Sequence, residues 1–203
     1  MTVSDDAKPG PVRPRLTFPE AESAWVAEAY DGARVILEYG SGGSTILGGE
    51  MLGSTVFSVE SDLAWAQNMQ DWFDQNTPLA NVQLHPVNIG KTQSWGRPDG
   101  NDGFRSYHRY PITVWDRADF QHPDLVLIDG RFRPACLLTT MLRIERPVTV
   151  LFDDYVDRPE YHMVERYSQP VETRGRMARF EVKPRAFPIE DMARIFEIFT
   201  RPR

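Results

Sequence analysis

Only one cysteine, Cys136, stands in the whole chain, so no disulfide can form within it. It sits among Ala135, Leu137 and Leu138, where a small buried core residue is expected rather than a reactive thiol. Basic residues are also short: 23 Lys and Arg against 29 Asp and Glu give a formal charge of −6. Proteins that coat nucleic acid draw affinity from basic patches, so this balance argues against a nucleic-acid partner. No apolar run is long enough to span a bilayer, and the polar, proline-rich first 18 residues hold no signal-peptide core. A cytoplasmic protein without a membrane partner is expected. Internal repeats are missing as well. What remains is ordinary: 41% hydrophobic residues, 11% aromatic, in 203 residues, enough for one domain with a sizeable core.

The most specific segment is Glu38-Tyr39-Gly40-Ser41-Gly42-Gly43-Ser44-Thr45. The apolar run Arg34 to Leu37 before it reads as a buried strand, and Ser44 to Leu52 opens a helix. Glycines at such a turn let the backbone approach a ligand, and the first N–H groups of the helix face it. A second strand, Thr55 to Val59, ends in Glu60, placed to hold a pair of ribose hydroxyls. A nucleoside-containing cofactor over the carboxyl ends of a parallel sheet is the reading. For a dinucleotide such as NAD, the third fingerprint position wants glycine or alanine; here it is Thr45.

An acid, a Gly-x-Gly turn and a second acid closing the next strand resemble motifs I and II of the class I S-adenosylmethionine-dependent methyltransferases. The resemblance spans roughly residues 34–153 and implies S-adenosylmethionine as cofactor. It implies cofactor contacts from Glu38, Gly40, Ser41, Gly42, Gly43, Ser44, Glu60, Ser61, Asn88 and Asp129, and a small-molecule substrate methylated at oxygen. The alternatives are an inactive methyltransferase-like protein that binds cofactor or partner, or an NAD-binding oxidoreductase. Fold alone does not establish chemistry. A homo-oligomer is compatible with the sequence.

Strand and helix patterns alternate along the chain, then close with a hairpin at Val171–Thr173 and Met177–Lys183. This predicts a Rossmann-like α/β fold, a single domain with a mostly parallel sheet of about seven strands and an antiparallel edge. Residues 1–17 read as a flexible arm. Residues 88–110, rich in glycine but also carrying Trp95, Phe104 and Tyr107, read as a lid or insertion over the substrate. Trp65 and Trp72, at helical spacing, read as packing residues.

Further acids close later strands: Asp129 after Asp124–Ile128, and Asp153-Asp154 after Pro147–Phe152. Ligands in open α/β sheets bind at that rim. The pattern resembles catechol-type O-methyltransferases, which implies a divalent metal such as Mg²⁺ on Asp129, Asp153 and Asp154. Asp129 and His162 are the candidate catalytic residues, His162 as a base near neutrality. In Asp129-Gly130-Arg131-Phe132-Arg133, the arginines either pair with the rim aspartates or clamp an anionic substrate. One structural arginine is expected; the other is open.

Overall fold

Aliphatic and β-branched runs become strands, and the segments between them become helices, in a computed structural model that describes residues 13–202. In chain order these are α1 (Glu20–Asp31), β1 (Val35–Tyr39), α2 (Gly43–Gly49), β2 (Thr55–Glu60), α3 (Leu63–Gln75) and β3 (Asn81–Pro86). A small hairpin follows, β4 (Thr92–Gln93) and β5 (Arg97–Pro98), then α4 (Arg109–Ile112) and β6 (Leu125–Ile128). The chain closes with α5 (Arg133–Arg143), β7 (Val148–Phe152), β8 (Glu172–Arg174), β9 (Met177–Val182) and α6 (Met192–Phe199).

The main sheet has seven strands in the order β3-β2-β1-β6-β7-β9-β8. The first five are mutually parallel; β9 runs antiparallel to both β7 and β8. This is the predicted mixed sheet with its antiparallel edge. Pro86 ends β3 on the outer edge, where a missing N–H breaks no ladder.

Parallel strands covered on both faces read as unbroken apolar runs because alternate residues enter different cores. Leu37, Phe57, Val126 and Val150 join α5 and α6 on one face. Ile36, Val56, Leu127 and Leu151 join Trp25, Val26 and Tyr30 of α1 on the other. The same alternation sends Glu38 to the α1 side, beneath the glycine turn. The five parallel strands bring their carboxyl ends to one rim.

Two expectations change. Part of the arm is packed: Leu16 lies against the α1 core and Arg13 pairs with Glu50, just before the buried Phe18. The remainder of the predicted arm, residues 1–12, lies outside the described residues. The insertion is also partly core, because Tyr107 and Tyr110 are buried and stack on Phe132. Packing therefore explains two of its four aromatics, while Trp95 and Phe104 stay exposed. Cys136 is a fully buried core residue, as its neighbours suggest. Among the described residues no helix is long and apolar enough to cross a membrane.

Candidate functional site

Above β1, β2 and β6 lies a cavity of about 440 Å³. Its floor is Gly40 to Ser44. Glu60, Ser61 and Asp62 bound one end, and Asp129, Gly130 and Arg131 the other. Trp65, Trp95, Tyr110 and residues 14–18 complete the walls. Of the predicted cofactor residues, Gly40, Ser41, Gly42, Gly43, Ser44, Glu60, Ser61 and Asp129 all line it.

The glycines have steric reasons. Gly40 has φ +103°, and a Cβ there would meet the Gly130 nitrogen at 2.7 Å. Reciprocally, a Cβ on Gly130 would meet the Gly40 nitrogen at 2.8 Å. The turns after β1 and β6 thus touch backbone to backbone. On Gly43 a Cβ would strike the Arg15 and Leu16 backbone, so that glycine lets the N-terminal segment form a wall.

Glu38 lies beneath this floor and does not line the cavity. Its carboxylate is fully buried and accepts from Ser44 Oγ, Thr45 Oγ1 (2.6 Å), Ser58 Oγ (2.9 Å) and Tyr30 OH (3.3 Å). Burial pushes its pKa up to about 7, and the four hydroxyl donors pull the other way. Thr45 also accepts the Gly42 N–H at 2.8 Å, pinning the turn to the buried acid. The residue that spoils a dinucleotide fingerprint therefore has a structural task here. Glu38 organises the turn from below and is not among the residues that line the cavity.

Glu60 stands at the cavity edge. Its Oε1 accepts the N–H groups of Ser61 (2.6 Å) and Asp62 (2.7 Å), and Oε2 accepts that of Ser41 (3.1 Å). Burial raises its pKa, and these three donors oppose the rise. Oε2, with one backbone donor, keeps an acceptor position for a ligand hydroxyl. Trp65 donates its indole N–H to Ser41 O at 2.8 Å and so braces the turn. Its helical spacing concealed this role. Trp95 is 77% exposed and has φ +66°, a strained backbone for a bulky residue held at the cavity mouth.

The opposite end is built on guanidiniums. Arg133, 3% exposed, reaches Asp129 at 3.1 Å, Asp154 at 3.2 Å and Asp153 at 3.8 Å, and donates to the Asp153 carbonyl at 2.6 Å. Arg176 takes Asp153 at 2.8 Å and Asp154 at 3.1 Å; Arg158 takes Asp154 at 2.7 Å. The predicted metal set is therefore corrected. Three arginines occupy the carboxylates a cation would need, and the donor set does not fit a divalent metal. No cluster of three metal-binding side chains occurs among the described residues. Burial raises the pKa of Asp129, with Asp153 and Asp154 adding to the rise and Arg133 opposing it.

Two further candidates lie elsewhere. His162 does not line the cavity: its Nε2 is 3.0 Å from the Tyr155 carbonyl and its ring stacks on Tyr155 at 4.7 Å. It sits in the 3₁₀ segment Pro159–Arg166. Asn88 is exposed and accepts the Gly90 N–H at 2.9 Å in an Asx turn, and it is not among the residues that line the cavity. Sequence reasoning missed Trp65 and residues 14–18.

The strand order and a glycine-floored cavity at the rim define a class I methyltransferase fold. No protein-family model matches the chain, and no curated protein matches it. A methyltransferase-like protein from Silicibacter pomeroyi is 45% identical, with a TM-score of 0.89, covering 94% of this chain and 99% of that one. An O-methyltransferase from Streptomyces achromogenes involved in tomaymycin synthesis, solved with S-adenosylmethionine, is 17% identical with a TM-score of 0.58. The two chains are covered to 83% and 82% respectively. A Bacillus cereus O-methyltransferase solved with S-adenosylhomocysteine is 15% identical, with a TM-score of 0.55 and coverage of 81% and 82%. The chain belongs to the class I S-adenosylmethionine-dependent methyltransferase superfamily, as a methyltransferase-like protein.

Proposed function

We propose that this protein binds S-adenosylmethionine in the rim cavity and methylates an oxygen of a small-molecule acceptor. The observation that carries the reading is the cavity itself: about 440 Å³, floored by Gly40–Ser44, with Glu60 at one end and Asp129 at the other. That volume lies within the range of small-ligand sites. Two fold neighbours hold the donor or its demethylated product, which supports the choice of ligand. The donor, when bound, supplies a methyl group on a positively charged sulfur, which the acceptor oxygen attacks as the carbon–sulfur bond breaks.

The chain's own residues bind, orient and move a proton. Glu60 accepts from the ribose hydroxyls through Oε2. The glycine floor admits close contact, and Trp65 and Trp95 flank the ligand and keep water out. Alignment for in-line attack supplies much of the rate. Asp129 receives the acceptor's hydroxyl proton in its ionised form; because burial pushes its pKa up to about 8, transfer should rise with pH toward and above that value.

Calorimetry with S-adenosylhomocysteine and with NAD tests the donor. Tight NAD binding with none for S-adenosylhomocysteine would sink the reading. A screen of hydroxyl, carboxyl and amine acceptors with labelled donor then tests transfer, which Asp129→Asn should abolish while donor affinity stays nearly intact. A second reading, donor or partner binding without transfer, is favoured by the Asp129–Arg133 ion pair. Donor binding with repeated failure of every acceptor would select it.

A further inference from the structure

Arginines in and around this rim fall into two kinds. Arg133, Arg158 and Arg176 each meet at least one aspartate within 3.2 Å. Arg131 meets none. Its side chain is 8% exposed, its Nε is buried without a hydrogen-bond partner, and no described carboxylate pairs with it. Asp129, two residues earlier, is tied to Arg133 instead. A buried charge without a partner is costly, and natural structures retain one chiefly where something else supplies the counter-charge. Burial and the neighbouring Arg133 both depress its pKa, yet an arginine still keeps its proton.

Position narrows the partner. Arg131 lines the same cavity as Glu60 but follows β6, two strands along the rim from β2. With strands about 4.8 Å apart, that places it roughly 10 Å from the ribose end. We propose that Arg131 is the anion receptor of the cavity and that the methyl acceptor carries a carboxylate or phosphate which it holds. This rests on the methyltransferase reading and narrows its substrate class. The guanidinium fork suits either anion in a bidentate grip, fixing the acceptor's orientation beside Asp129. Arg131 is a positioning and specificity residue; it takes no proton. Tyr110, whose hydroxyl accepts the Arg131 backbone N–H at 3.4 Å, is the aromatic wall beside the guanidinium and suits a ring attached to that anion.

The test loads the protein with S-adenosylhomocysteine and titrates it calorimetrically with benzoate, phenyl phosphate and the neutral benzamide. At least one anion should bind, benzamide should not, and Arg131→Gln should weaken the anion by about tenfold to a hundredfold. Arg131→Lys should recover part of the loss, since charge returns without the fork. Donor-product affinity should stay within about twofold, because the lost contact is to the acceptor. Failure of both anions to bind, or binding unchanged in Arg131→Gln, overturns the proposal. So does weakened S-adenosylhomocysteine binding with 5′-methylthioadenosine unaffected, which would assign the anion to the donor's amino-acid end. If S-adenosylhomocysteine does not bind the wild-type protein, the methyl-transfer reading falls by itself. The same anion titration of the free protein then decides Arg131's role separately.

Discussion

At the ends of β1 and β2, Glu38 and Glu60 face hydroxyls and backbone N–H groups. At the ends of β6 and β7, Asp129, Asp153 and Asp154 face guanidiniums. Both halves look alike in the sequence: an apolar run closed by an acid. Their partners make them different machines. Neutral donors hold an acid in place while leaving an oxygen lone pair for a ligand, as at Glu60. Arginines neutralise an acid and close it, as at Asp153, and that half becomes scaffold apart from Asp129 at the cavity edge and the one guanidinium left unpaired.

The most severe way to break this contrast is to remove the central cation. Arg133→Met should destabilise the protein by about 3–5 kcal/mol, because buried carboxylates lose their counter-charge. The exposed Arg143–Asp116 pair is the control: Asp116→Ala should cost under about 1 kcal/mol. Urea unfolding of both variants checks this, and equal losses would deny that the β6–β7 half is an ion-paired scaffold.

Glu38 gives the next effect, through pH. Burial holds its pKa at about 7 in the folded protein against an ordinary 4.5. The folded state therefore keeps a proton that the unfolded chain has already released. Stability from this group is complete below about pH 4.5 and drains away as pH rises through about 7, on the order of 3 kcal/mol in all. Glu38→Gln should flatten that share of the slope in urea titrations across the window. A slope that survives unchanged would place the titration elsewhere.

Smaller effects concern ligand rather than fold. Glu60→Ala should weaken S-adenosylhomocysteine binding by about 1–3 kcal/mol, measured by calorimetry, through hydroxyls left unpaired. His162→Ala, remote from the cavity, should change that affinity by less than about twofold, a surface-scale effect. A large loss there would bring the 3₁₀ segment back into the site.

The sheet was legible because its strands are short apolar runs, and the glycine turn because close backbone approach admits few residues. Glu60 was readable for the same local reason: it ends a strand beside that turn. What the acids pair with was not readable, since Arg176 and Arg158 reach Asp153 and Asp154 from other segments. Residues 14–17 looked like a loose arm because prolines signal irregular backbone. The missing Cβ of Gly43, far along the chain, makes the room in which that backbone is seated. Tyr107 suggested a lid because aromatic residues in a glycine-rich loop suit either a ligand or a core, and here the core claimed it. Trp65 hid in a helical stripe: its ring position follows the helix, but its indole N–H follows the turn.

The contact between Gly40 and Gly130 joins the two halves of the rim with no side chain between them. In the language of inheritance, these two distant positions form a single site with one permitted letter at each. A lineage that changes either must first move β1 and β6 apart, and so must rebuild the cavity. Relatives that keep the cavity should therefore keep glycine at both positions together, and a chain that has lost one should have lost the other.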